Sequence, residues 1–108
     1  MIAVFSYEAQ HKWLKYTDHY LAQLLTRDMP DENDIQKILC DDDPQVIEPN
    51  RNDDRGPSFL VWGIIDSRAG HILLSSPPEP CWVITSYWPD TEPTKWEDNF
   101  KRRRSIGV

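Results

Sequence analysis

Between Thr85 and Arg104 the chain sets two hydroxyls close to four consecutive cations. Thr85 and Tyr87 alternate with Val83 along the apolar, β-branched run Cys81–Tyr87, which puts them on one face of a strand. Lys101, Arg102, Arg103 and Arg104 follow shortly after. Guanidinium groups bind phosphate in a bidentate manner, so Arg102 and Arg103, with Lys101 beside them, are candidate phosphate contacts. His71 opens another strand, and an imidazole there can act as base or acid because it titrates near neutrality. His19, in the first turn of a helix, is a second candidate, whereas nothing singles out His11. Each of these residues also has a structural reading. Cations in a last helical turn are favoured by the helix dipole. Thr85 and Tyr87 suit the edge of a core, and His71 and His19 suit a half-exposed strand start and a locally bonded helix turn. Trp62, Trp82 and Trp88 could stack bases or fill a small core. Spacing alone leaves both readings open.

The elements that must position these groups are legible in outline. Thr17 is a good N-cap, and Asp18–Asp28 reads as a helix with an apolar stripe of Leu21, Leu24 and Leu25. Pro30-Asp31-Glu32 begins a second helix that runs to Cys40 and buries Ile35, Ile38 and Leu39. A short strand is expected over Gln45–Glu48 and clear ones over Ser58–Ile65, His71–Ser75 and Cys81–Tyr87. Short connections between them imply an antiparallel meander. Pro93-Thr94 opens what reads as a C-terminal helix, with Trp96 and Phe100 at i and i+4 facing the sheet. Ile2, Val4 and Phe5 hint at a strand within the otherwise featureless residues 1–16. The expected fold is α+β: two N-terminal helices on one face of a small antiparallel sheet of three to four strands, with a C-terminal helix. The sheet's other face is expected to stay partly open, as a binding or catalytic surface.

With 108 residues the chain forms one domain, 1–108, with a single modest core. No apolar run approaches the roughly 20 residues of a membrane span, and the N-terminus lacks the pattern of a secretory signal. Cys40 and Cys81 lie 41 residues apart with no partner at metal spacing, so buried free thiols and a cytoplasmic setting are expected. Asp41-Asp42-Asp43 lacks the alternating ligands of a calcium loop, and no metal or cofactor is expected. Gly-rich phosphate loops and nucleophile elbows are absent from the sequence. The net charge of −6 argues against a general nucleic-acid binder. Its distribution weakens the objection: residues 1–54 carry 12 acids against 5 bases, residues 55–108 6 acids against 7 bases.

Two segments, V-I-T-S-Y-W-P-D from Val83 and K-W-E-D-N-F-K-R-R from Lys95, resemble the signature V-I-T-x-Y-x-P-D…K-W…R-R of a family of small bacterial proteins catalogued as a domain of unknown function. The family's helical His, late-strand Gly and strand-opening His match His19, Gly63 and His71, so the resemblance covers His19 to Arg104. That family is similar to RelE-like toxins within the wider barnase, EndoU and colicin ribonuclease superfamily. The resemblance implies metal-independent RNA cleavage on the sheet's open face, by a toxin of a toxin–antitoxin pair. A base takes the 2′-hydroxyl proton, cations stabilise the phosphate charge and an acid protonates the 5′-oxygen. His71, His19, Thr85 and Tyr87 would be catalytic, with Lys101, Arg102 and Arg103 on phosphate. The partner would be RNA, free or on the ribosome, or a cognate antitoxin. The chain departs from the pattern at Gln23, where the family has Arg, and at Asp28, where it has Gly. The alternative is a non-catalytic interaction module whose acidic front half binds a basic protein.

Overall fold

A computed structural model describes Phe5, Tyr7, Ala9 and residues 14–40, 44–53, 56–75 and 82–103. The element order is β1 (Lys15–Tyr16), α1 (Asp18–Leu24), α2 (Glu32–Cys40), β2 (Gln45–Asp53), β3 (Gly56–Ile65), β4 (Arg68–Ser75) and β5 (Trp82–Tyr87). Two 3-10 turns, Pro89–Thr91 and Pro93–Lys95, then lead into a short hairpin, β6 (Trp96–Glu97) and β7 (Arg102–Arg103).

The architecture is α+β. The main sheet has five strands in the order β1-β5-β4-β3-β2. Strands β2 to β5 form the antiparallel meander that the short connections imply, and β1 adds a two-residue parallel edge beside β5. The sheet is therefore mixed and larger than the three to four antiparallel strands expected. β2 also runs to Asp53, beyond the expected Glu48, with irregular register on both sides of Glu48.

Thr17 caps α1 as expected: its hydroxyl oxygen accepts from the Tyr20 amide (3.1 Å) and its hydroxyl donates to the Ile84 carbonyl on β5 (3.0 Å). One side chain thus satisfies an orphan helix donor and ties the helix to the sheet. α1 stops at Leu24 rather than Asp28. Of the expected leucine stripe, only Leu24 packs against the core. Tyr20 is buried, while Leu21 and Leu25 are exposed. At the start of α2, Asp31 and Asp34 accept each other's backbone N–H (2.9 and 3.1 Å), a reciprocal cap that employs two of the acids of the front half.

The core lies between the helices and one face of the sheet. Ile35, Ile38 and Leu39 of α2 are fully buried there with Val61, Ile72, Leu74 and Val83. Gly63 and Gly70 face each other across β3 and β4, and Ile38 sits over the pair. A Cβ at Gly63 would run into Ile38 Cγ2, so this close approach requires glycine.

The C-terminal helix is absent. Trp96 and Phe100 do have helical spacing, but Asp98, Asn99 and Phe100 all take positive φ (54°, 55° and 67°), which reverses the chain into the β6–β7 hairpin. Asp and Asn tolerate this left-handed region better than most residues. Phe5 is helical rather than extended, and Cys40 is an exposed free thiol rather than a buried one. Ile2, Val4, His11, Asp41–Asp43, Cys81 and Arg104 lie outside the described residues. Among those described, no helix is long and apolar enough to cross a membrane.

Candidate functional site

Strand register builds the site. Trp62, His71 and Tyr87 are direct partners across β3, β4 and β5, so their side chains share the sheet face opposite Ile38. Glu48 pairs with Leu60 and belongs to the same face. The expectation of an open face fails along this row, because the C-terminal hairpin lies on it. The Trp62 indole donates to the Asn99 carbonyl (2.9 Å), and Lys101 stands 4.5 Å over the Trp62 ring. Trp96 meets the His71 ring edge-on at 4.4 Å.

His71 is consequently fully buried and held at both nitrogens. Nε2 is 2.7 Å from the Phe100 carbonyl oxygen and Nδ1 is 3.2 Å from the Tyr87 hydroxyl. A carbonyl only accepts, so Nε2 carries the proton. In the neutral ring Nδ1 is then an acceptor, and Tyr87 donates to it. Burial pushes the His71 pKa down to about 4, against the opposing pull of the Phe100 carbonyl and Glu48, with Arg103 adding to the depression. At neutral pH the ring is uncharged.

Arg103 closes the arrangement from the hairpin. It donates to both Glu48 carboxylate oxygens (3.1 and 3.3 Å), stacks 4.5 Å over Trp96 and lies beside the Tyr87 phenol. The Glu48 partnership is the main cause of a raised Arg103 pKa.

The other candidates fall elsewhere. Arg102 pairs with Glu97 within the hairpin (2.8 Å). The Thr85 hydroxyl donates to Gln23 Oε1 of α1 (2.8 Å), which ties β5 to that helix. His19 is exposed on α1, and no described hydrogen bond or ion pair links it to His71, Tyr87 or Thr85. Base stacking is also restricted: Trp62, Trp88 and Trp96 each have a cation over one ring face, the Trp88 partner being Arg68 at 4.2 Å. Trp82 is 40% exposed, on the sheet's edge-strand pair β1–β5.

Tyr87 and Arg103 border a cleft of about 380 Å³ that Arg27, Lys95, Trp88 and Trp96 also line. Asp28 and Glu92 also line it with carboxylates, and Glu92 is ion-paired with Lys95. Arg27 has no ion-pair partner among the described residues. The Trp88 indole nitrogen is buried without a hydrogen-bond partner. Its benzo edge (Cζ3) faces the Cβ position of Gly70, which leaves the N–H on the opposite edge of the ring.

Sequence reasoning missed Arg27, Lys95, Glu48 and the Phe100 carbonyl. Glu48 lies 55 residues from Arg103, and no local pattern links them. Arg27 was hidden in what read as the end of a helix. Among the described residues, no group of three or more His, Cys, Asp or Glu side chains could hold a metal.

No protein-family model, curated protein or solved structure matches the chain.

Proposed function

We propose that the chain is a RelE-like, metal-independent endoribonuclease, the toxin of a toxin–antitoxin pair, that works at the cleft beside Tyr87. The observation that supports this reading is the meeting of an oriented phenol with Arg27, Lys95 and Arg103 on one concave surface. The reaction needs no more than these groups. The 2′-oxygen of RNA attacks the adjacent phosphorus, the 5′-oxygen departs, and the 2′-proton is transferred to it overall. Tyr87 contacts the substrate and orients the attacking 2′-hydroxyl. Arg27, with no ion-pair partner among the described residues, and Arg103 stabilise the charge that builds on the phosphate oxygens.

The test is RNA cleavage by the purified protein in EDTA, alone and with ribosomes. Products ending in 2′,3′-cyclic phosphate are expected, with losses on the order of 100-fold in Tyr87→Phe and in Arg27→Ala. Cleavage that survives Tyr87→Phe unchanged would exclude this site.

The second reading is a non-catalytic module that binds a basic protein. The ion pairs of Arg102 with Glu97 and of Arg103 with Glu48 favour it, since they neutralise cations that phosphate would otherwise meet. Absence of cleavage by the parent protein, together with salt-sensitive capture of a basic partner, selects this reading.

A further inference from the structure

We propose that His71 is a positioning residue for Tyr87 rather than the base or acid of the reaction, and that the Phe100 carbonyl of the C-terminal hairpin sets the tautomer that makes this possible. The inference rests on the ribonuclease reading for its functional consequence. The geometry itself stands on hydrogen-bond directionality.

His71 is fully buried beneath Trp96, so its nitrogens do not reach a substrate. The Phe100 carbonyl accepts a hydrogen bond from Nε2–H, and a neutral ring then offers only a lone pair at Nδ1. That lone pair fixes the direction of the Tyr87 O–H. Arg103, anchored by Glu48, stands beside the same phenol and brings its positive charge there. Tyr87 also lines the cleft. The hairpin supplies three parts of this device: the Phe100 carbonyl, Arg103 and the Trp96 cover. The turn that delivers the carbonyl holds three successive residues at positive φ. Such conformations persist where surrounding contacts fix them, and they concentrate at functional sites. Here the Trp62 and His71 hydrogen bonds to Asn99 and Phe100 supply the fixing contacts. The logic is that of a catalytic triad, in which a buried third member fixes the tautomer of the second. In this chain a backbone carbonyl takes that place, and the imidazole orients a phenol.

The decisive measurement is long-range proton–nitrogen NMR of the His71 ring in the ¹⁵N-labelled full chain. At neutral pH Nε2 is expected to be protonated and Nδ1 bare. Tyr87→Phe should move the Nδ1 resonance toward that of a free imine nitrogen and leave Nε2 in place. A ring protonated at Nδ1, or an Nδ1 resonance indifferent to Tyr87→Phe, overturns the proposal. Two substitutions carry it to function. His71→Asn keeps an acceptor oxygen near the Nδ1 position, and His71→Gln keeps a donor near Nε2 but removes that acceptor. RNA cleavage should be largely retained in His71→Asn and fall on the order of 100-fold in His71→Gln. Equal loss in both variants, with native amide spectra, would make the imidazole itself the proton carrier and overturn the positioning role. If the parent protein cleaves no RNA, the ribonuclease reading falls by itself. The NMR comparison with Tyr87→Phe still decides the tautomer and the Tyr87 contact.

Discussion

Burial decides the behaviour of His71, and the consequence is measurable as stability. Desolvation holds its pKa at about 4, against an ordinary value of 6.5 in the unfolded chain. Charged and titratable neighbours face it from three strands: Glu48 on β2, Tyr87 on β5 and Arg103 on β7. Between pH 6.5 and 4 the unfolded chain binds a proton that the folded chain refuses. The stabilisation is therefore complete above pH 6.5 and is lost as the pH falls toward 4, by on the order of 3 kcal/mol in total. Urea unfolding at a series of pH values should show this decline. His71→Gln, which has no group to titrate there, should show a shallower one, the remainder coming from carboxylates. Parallel pH profiles for the two proteins would assign the decline to other groups.

At the scale of elements, the contact between α2 and the sheet sets the most demanding fit. Ile38 Cγ2 occupies the space that a side chain at Gly63 would need. Because Ile38 is fully buried, it has little room to withdraw. Gly63→Ala should cost about 1–3 kcal/mol in chemical unfolding. The double variant with Ile38→Ala should lose less than the sum of the two single changes, since the clashing methyl is gone. Additive losses would mean that Gly63 is needed for its backbone alone.

These elements also show what the sequence could and could not reveal. Strands β3, β4 and β5 and helix α2 were legible because β-branched runs, turn residues and an acidic start act over a few positions. The hairpin was not, because two kinds of signal competed. Trp96 and Phe100 have helical spacing, but in the fold Trp96 packs on His71, Asn99 and Phe100 give their carbonyls to Trp62 and His71, and the intervening backbone turns left-handed. Tertiary contacts overrode local spacing. The same remoteness hid half of the site. His71 and Tyr87 stood out by residue type, and strand register joined them, but nothing local in the chain pointed from Arg103 to Glu48 or from Thr85 to Gln23.

For the whole molecule, the question is how a chain of net charge −6 could hold RNA. The described residues outside the cleft offer no broad basic surface. Arg68 and Arg102, which do not line the cleft, are each paired with a carboxylate, and Lys101 stands over Trp62. Binding would have to be confined to the cleft, where Arg27, Lys95 and Arg103 are the cations. Confinement predicts a weak dependence on salt. Each phosphate neutralised on single-stranded RNA contributes about −0.7 to the slope of log K against log salt, so the three cations of the cleft allow a slope of about −2. The measurement is a salt titration of short single-stranded RNA binding to Tyr87→Phe, which keeps the cleft and removes only the hydroxyl. A slope near −2 that becomes shallower by about 0.7 in a further Arg27→Ala variant would locate the phosphates in the cleft. A slope steeper than about −5 would require many more phosphate contacts than the cleft can make. RNA would then lie across another surface, and Tyr87 would lose its place at the reacting phosphate.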